Sequence, residues 1–136
     1  MTLALRFCLL LLVPDLAIAT PGAWNASKSG VVLEQRGVTA ASAALLPSPT
    51  LQVGGESTIS VVYWEYQTTS PQPAGLQVKL CTPQRCVALD GGSGRTRSFG
   101  GLPADSEFRF IYYIEGGGRL HRALNVISNS LSVNYK

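Results

Sequence analysis

Residues 73–91 read Pro73-Ala74-Gly75-Leu76-Gln77-Val78-Lys79-Leu80-Cys81-Thr82-Pro83-Gln84-Arg85-Cys86-Val87-Ala88-Leu89-Asp90-Gly91, and this stretch decides the fold class. Leu76, Val78 and Leu80 alternate with Gln77 and Lys79, and past the turn Val87 and Leu89 alternate with Ala88 and Asp90. A period of two on both sides of a short polar interval predicts two half-buried strands around a tight turn, a β-hairpin. Cys81 and Cys86 stand at the ends of that turn, where the Cβ atoms of an antiparallel pair approach closely enough to be bridged, and Pro83 favours a bend between them. Closing so short a loop removes only about 2 kcal/mol of unfolded-chain entropy. A disulfide here therefore fixes a register more than it holds the domain together. A redox dithiol usually has two residues between its cysteines beside a helix start, and a zinc site needs further ligands. The chain offers one histidine and no second cysteine pair, so a structural disulfide is the expectation.

Working outward, Ser57 to Tyr66 reads as a strong strand with Ile59, Val61 and Tyr63 on one face and Val62, Trp64 and Tyr66 on the other. Apolar residues on both faces predict a central strand or one covered on each side. Glu107 to Ile114 sets Phe108, Phe110, Tyr112 and Ile114 on one face and is the expected core strand opposite it. Gly30 to Val38 reads as a strand with a possible bulge at a glycine, Ala40 to Ala44 as a short helical turn, and Leu46-Pro47-Ser48-Pro49 as a surface crossing. Gly91 to Gly94 reads as a flexible turn and Arg95 to Phe99 as a short polar strand. Gly116-Gly117-Gly118 reads as a wide hairpin turn leading into Arg119 to Val126, since no helix start follows it to build a phosphate loop. Ser130 to Lys136 closes the chain by alternation, with Leu131, Val133 and Tyr135 inward and Ser130, Ser132 and Asn134 outward. Short strands at this spacing without a helical period predict an all-β fold, an antiparallel β-sandwich of the immunoglobulin-like or a related type.

The N-terminus reads differently. Arg6, the apolar run Phe7 to Val13 and the small residues Ala17-Ile18-Ala19 match a cleavable secretory signal over residues 1–19, leaving residues 20–136 as a single domain. The apolar run is shorter than the roughly 18 residues a membrane helix needs. Cys8 falls within it, which leaves two cysteines for an oxidising compartment. The formal net charge of +3 is mild and lacks the clustering that nucleic-acid binding requires.

No catalytic constellation emerges. His121 is the only histidine and sits between Arg119 and Arg122, whose charges oppose its protonation, and no nucleophile-elbow motif occurs. The carboxylates are scattered and no calcium-loop pattern is present, so neither a metal nor another cofactor is expected. Trp24 is expected to pin the leading segment onto the core. The candidate partner-binding residues fall in two sets. Ser132 and Asn134 lie on the outward face of the last strand, which, as the end of the chain, is expected at a sheet edge able to add a partner strand. Arg85, Arg95, Arg119 and Arg122, with Arg97, occur in or beside turns and could assemble one cationic patch for an acidic partner.

Pro73 to Leu76, Leu80-Cys81, Arg85-Cys86-Val87, Leu89-Asp90-Gly91 and Ser93-Gly94 together resemble the central motif of the flagellar protein FlhE family. Gly116 to Leu120, Ala123-Leu124, Ser128-Asn129 and Val133-Asn134-Tyr135 resemble its C-terminal part, and Gly22-Ala23-Trp24 and Arg36-Gly37-Val38 extend the likeness towards the N-terminus. The segment from Ala40 to Gln52 and the Gln67 to Gln72 loop depart from it. The resemblance implies a bacterial periplasmic accessory protein associated with the flagellar type III export gate, without enzymatic activity, that limits leakage or keeps flagellar subunits from assembling early. Rod, hook, filament or export-gate proteins are the implied partners. A peptidoglycan-binding module is the competing expectation, because sandwiches often present aromatics such as Trp24, Tyr63, Trp64 and Tyr66 to sugars.

Overall fold

The computed structural model describes residues 21–69 and 71–136, so the expected signal at residues 1–19 lies outside the described residues. Among these the chain forms nine strands and no helix: β1 (Gly22–Lys28), β2 (Val32–Gln35), β3 (Ala40–Ala41), β4 (Ile59–Thr68), β5 (Leu76–Cys81), β6 (Cys86–Leu89), β7 (Ser93–Thr96), β8 (Arg109–Ile114) and β9 (Arg119–Tyr135). They build two antiparallel sheets. The longer has the order β1-β9-β4-β7 with β2 also paired to β9, and the shorter has the order β3-β8-β5-β6. The all-β sandwich is thus the observed architecture.

The hairpin at residues 76–89 forms in the expected register, with Val78 opposite Leu89, Leu80 opposite Val87 and Cys81 opposite Cys86. Cys81 and Cys86 are bonded, their Cα atoms 4.0 Å apart. On its other side β5 pairs with β8 from Leu76–Ile114 to Cys81–Arg109. Phe108, just before β8, and Phe110, Tyr112 and Ile114 within it enter the core with no exposed surface, as their alternation requires. Tyr66 of β4 meets Tyr112 edge-on at 5.7 Å and Phe110 at 6.3 Å, which makes β4 and β8 the facing strands of the core. Trp24 is buried, donates its indole N–H to the Ala104 carbonyl at 2.7 Å and packs 6.0 Å from Phe108, so it does pin β1.

Several local expectations are corrected. Ala40–Ala41 is a strand paired with Tyr112 and Ile111 of β8, not a helical turn, because the edge of the short sheet offers hydrogen bonds that a lone helical turn lacks. The ladder continues past it, with Leu45 bridged to Phe108. Strand β7 begins at Ser93, inside the expected flexible turn, and ends at Thr96, while Phe99 lies fully buried in the turn that follows. Gly94 can join the strand because it sits opposite Trp64, whose indole occupies the space where a Cβ would come within 2.5 Å. Gly116 to Gly118 is not a hairpin turn: β8 and β9 belong to different sheets, so the glycines carry the chain from one sheet to the other.

The last two expected strands are one, the 17-residue β9, whose phase is reset by an extra residue at Ile127 where Gln67 pairs with Ser128 but Thr68 with Val126. Leu124 and Val126 therefore point inward, as do Asn129, Leu131 and Val133 across the shift. A second extra residue, Ser60, turns both Ile59 and Val62 into the core. Strand β4 is central in its sheet, but only one of its faces is covered.

Strands β1 and β2 run along the same side of β9 in one register, Lys28 opposite Asn129 and Val32 opposite Asn125, with Gly30 at φ 95° in the interruption between them. The fully buried Asn129 sits at that break. Its Nδ2 donates to the carbonyl of Gly30 at 2.6 Å and to that of Lys28 at 3.4 Å, and its Oδ1 accepts from the Tyr112 hydroxyl. A buried amide with partners at both ends ties β1, β9 and β8 together without an orphaned polar atom.

Candidate functional site

The outer face of the long sheet follows from the same alternation that fills the core. With Trp24, Ala26, Leu131, Val133, Val62 and Trp64 turned inward, their neighbours turn outward in cross-strand rows. One row runs Asn25, Ser132, Tyr63 and Arg95, and the next runs Ser27, Ser130, Glu65 and Ser93. Asn134, Ala23 and Val61 make a third. Directly opposed residues on an antiparallel sheet share a face, so these side chains form one surface. It is almost entirely small and polar, and Tyr63, at 41% exposure, is its one large exposed ring.

A shallow groove of about 540 Å³ crosses this surface, lined by Asn25 and Ser27 of β1, Tyr63 and Glu65 of β4, and Ser130 and Ser132 of β9. The Ser27 and Ser130 hydroxyls are 2.9 Å apart, and Gln67 Nε2 donates to Glu65 Oε1 at 3.0 Å. The lining side chains come from strands, and β9 is hydrogen-bonded on both sides, so the groove is set in a stiff part of the molecule.

Three of the expected contact residues, Ser132, Asn134 and Arg95, come together on this face. The others do not. Arg85 lies in the β5–β6 turn and donates Nη1 to the Ser98 carbonyl at 2.5 Å, at the end of the sandwich where Cys81 faces Arg109. Arg119 pairs with Gln35 at the opposite end, and Arg122 lines a second groove there with Arg36, His121 and residues 71–73. The arginines expected to form one cationic patch thus lie in three places, Arg95 on the sheet face, Arg85 at one end and Arg119 with Arg122 at the other, because β9 spans the length of the sheet and sets its first residues far from the β5–β6 turn. The edge position expected for the last strand is also overturned. Strand β9 is flanked by β1 and β4 along residues 129–135, so it has no open side on which Ser132 and Asn134 could add a strand.

Beside Ser132, sequence reasoning names Tyr63 in this groove, and that as an aromatic for sugars; Asn25, Ser27 and Glu65 are not among its contact residues. The signal for Glu65 is present: it shares the phase of Tyr63, and a carboxylate in a strand marks the solvent face.

The shifted ionisations lie elsewhere. Burial pushes the Tyr112 phenol well above its ordinary range, with the neighbouring Tyr66 adding to the rise, and Tyr66 is raised by burial and then by the charge of Asp90. Both belong to the core. His121 is exposed, and among the described residues no hydrogen bond joins it to a carboxylate or hydroxyl. No group of three metal-ligating side chains is found among the described residues.

Residues 30–136 match the family model described as flagellar protein FlhE. The chain belongs to the FlhE family. It is 46% identical over 132 residues to the flagellar protein FlhE of Salmonella typhimurium, an alignment covering 96% of this chain and 98% of that protein. Against the flagellar protein FlhE of Escherichia coli the identity is 41% over 128 residues, covering 93% and 95%. A crystal structure of FlhE superposes with a TM-score of 0.81 at 46% identity, covering 87% of this chain and 99% of that one. This FlhE-family chain therefore has a flagellar accessory role.

Proposed function

We propose that this FlhE-family protein acts in the periplasm as a non-enzymatic binding protein of flagellar assembly. In this reading it holds rod, hook or filament subunits, or components of the export gate, and so prevents leakage or premature assembly as a chaperone or guard. The observation that carries it is the outer face of the long sheet, where a rigid polar surface surrounds one exposed aromatic, Tyr63. Tyrosine gives a large contact area at a small cost in side-chain entropy, and small polar neighbours let a partner approach closely.

A photo-crosslinking residue at Ser132 or Asn134, in cells assembling flagella, tests this. Capture of a rod, hook, filament or export-gate protein is expected. A folded protein that captures none of these, in a deletion background whose motility, flagellar placement and proton leakage are all normal, would remove the reading.

One observation favours a second reading, a peptidoglycan-binding module. An exposed tyrosine beside Asn25, Ser132 and Glu65 is also the chemistry that holds a sugar ring. Trp24 and Trp64, however, are buried and unavailable to it. Co-sedimentation with purified peptidoglycan at low salt, abolished by Tyr63→Ala, is the outcome that would favour it.

A further inference from the structure

The sandwich has unequal edges. Strand β3 is two residues long, β6 and β7 are four each, and β2 loses its register between Leu33 and Gln35. Short or irregular strands of this kind are how sheet edges are shielded from unwanted pairing. Strand β1 is the exception: Gly22 to Lys28 pairs with β9 over seven residues without a bulge or a proline, and its single charge, Lys28, stands at the end.

The direction of its backbone groups follows from the ladders around it. Thr58 and Lys136 exchange both hydrogen bonds, at 2.9 and 3.1 Å, so Lys136 and every second residue before it, back to Ser130, direct their peptide groups towards β4. The bond from Tyr66 N–H to the Gly92 carbonyl at 2.8 Å fixes the same alternation independently, since it turns Val62, Trp64 and Tyr66 towards β7 and Tyr63 and Glu65 towards β9. Leu131, Val133 and Tyr135 therefore serve β1, where their partners are Ala26, Trp24 and Gly22. The N–H and C=O groups of Ala23, Asn25 and Ser27 must point away from the sheet. Among the described residues no loop or turn bonds to them.

We infer that β1 is a strand-addition site, which takes an extended segment of a partner polypeptide onto the outward backbone groups of Ala23, Asn25 and Ser27. The inference rests on the reading of this chain as a binding protein and names where and how the partner sits. Peptide groups repeating every second residue are matched by another extended backbone and not by a sugar. The segment's side chains would alternate. Those on the outer side lie beside Asn25 and Ser27 and suit small polar residues. Those on the inner side lie beside Trp24 and Ala26, over the rim of the core, and suit apolar ones. Lys28 selects an acidic residue at its end of the segment. A second copy of β1 fits less well, because Gly22 to Lys28 contains no acid to meet Lys28.

The test uses purified flagellar rod, hook and filament subunits as probes and follows amide hydrogen exchange and affinity. With a subunit that binds, exchange at Ala23, Asn25 and Ser27 should slow at least tenfold while Trp24 and Ala26, already in the ladder, change little. Asn25→Pro removes an outward N–H and spares the β1–β9 bonds, so it should weaken that binding at least tenfold with the circular dichroism unchanged. The exchange result on the unaltered protein decides the matter even where that variant misfolds. Binding that leaves the three amides unprotected and survives Asn25→Pro would overturn strand addition and leave the binding function standing. Protection that comes with a doubled mass and no subunit would assign the edge to a second copy and overturn the inference. Failure of every one of these subunits, and of the purified export-gate components tested beside them, to bind would remove both.

Discussion

In the short sheet, Phe108, just before β8, and Phe110, Tyr112 and Ile114 within it are completely buried, and the neighbouring hairpin is clamped by Cys81–Cys86. In the long sheet, β1, β4 and β9 bury an inner face that is apolar apart from Asn129 but present Asn25, Ser27, Tyr63, Glu65, Ser130 and Ser132 outward, and among the described residues nothing pairs with the outer side of β1. The two sheets share one core and differ in what they show to solvent. The contrast separates the side chains that set stability from those on which the proposed binding rests, so substitutions in the two groups should be distinguishable.

The largest effect is expected from Phe110→Ala. Removing a fully buried ring that packs against Tyr66 and Tyr112 should cost about 3–5 kcal/mol in urea unfolding, and a much smaller loss would mean that the core is less tightly packed than described. Asn129→Ala comes next, at about 3 kcal/mol, since it orphans the Tyr112 hydroxyl and the Gly30 carbonyl together. The double variant Asn129→Ala with Tyr112→Phe should recover part of that loss, which a purely steric role for Asn129 would not allow.

Replacing both cysteines by serine should cost about 2 kcal/mol, the chain-entropy value for so short a loop, and leave the far-ultraviolet spectrum in place. Binding at the long sheet should be unchanged by it. Alkaline titration sharpens the contrast further. The phenols of Tyr66 and Tyr112 are raised in the folded protein, so above about pH 10 the unfolded chain loses protons that the folded chain keeps. Their contribution to stability is full below that pH and declines above it. Unfolding midpoints measured at pH 8 and pH 11 should show the decline, and Tyr112→Phe should make it shallower. Tyr63→Ala should be the smallest, within about 0.5 kcal/mol in stability, because the ring is exposed. Capture or binding of flagellar subunits should nevertheless fall. A large loss of stability there would place Tyr63 with the core group and dissolve the distinction.

The hairpin with its disulfide and the aromatic face of β8 were legible because a period of two, a short polar turn and paired cysteines are local signals. The seam at Ile127 was not. A bulge leaves no residue type behind it, and the alternation of Arg119 to Val126 and of Ser130 to Tyr135 reads as two strands when it is one strand with its phase reset. The short strand at Ala40–Ala41 was hidden for a related reason. Two alanines have no strand preference of their own, and only the waiting edge of β8 makes them one.

What the sequence determined by itself is the inward side chains of the regular stretches at residues 108–114 and 131–133, because burial of apolar residues at fixed periods is written residue by residue. It also carried the family resemblance, in motifs spread over the chain. What only the tertiary structure decided is which strands lie beside which. Pairing depends on groups that every residue carries alike, the backbone N–H and C=O, so no side chain announces that the last strand is central and that the first is the edge. For the same reason Ser132 was found on the right face and assigned to the wrong kind of strand, and the long open edge at β1 came into view only when the ladders on both sides of β9 were complete.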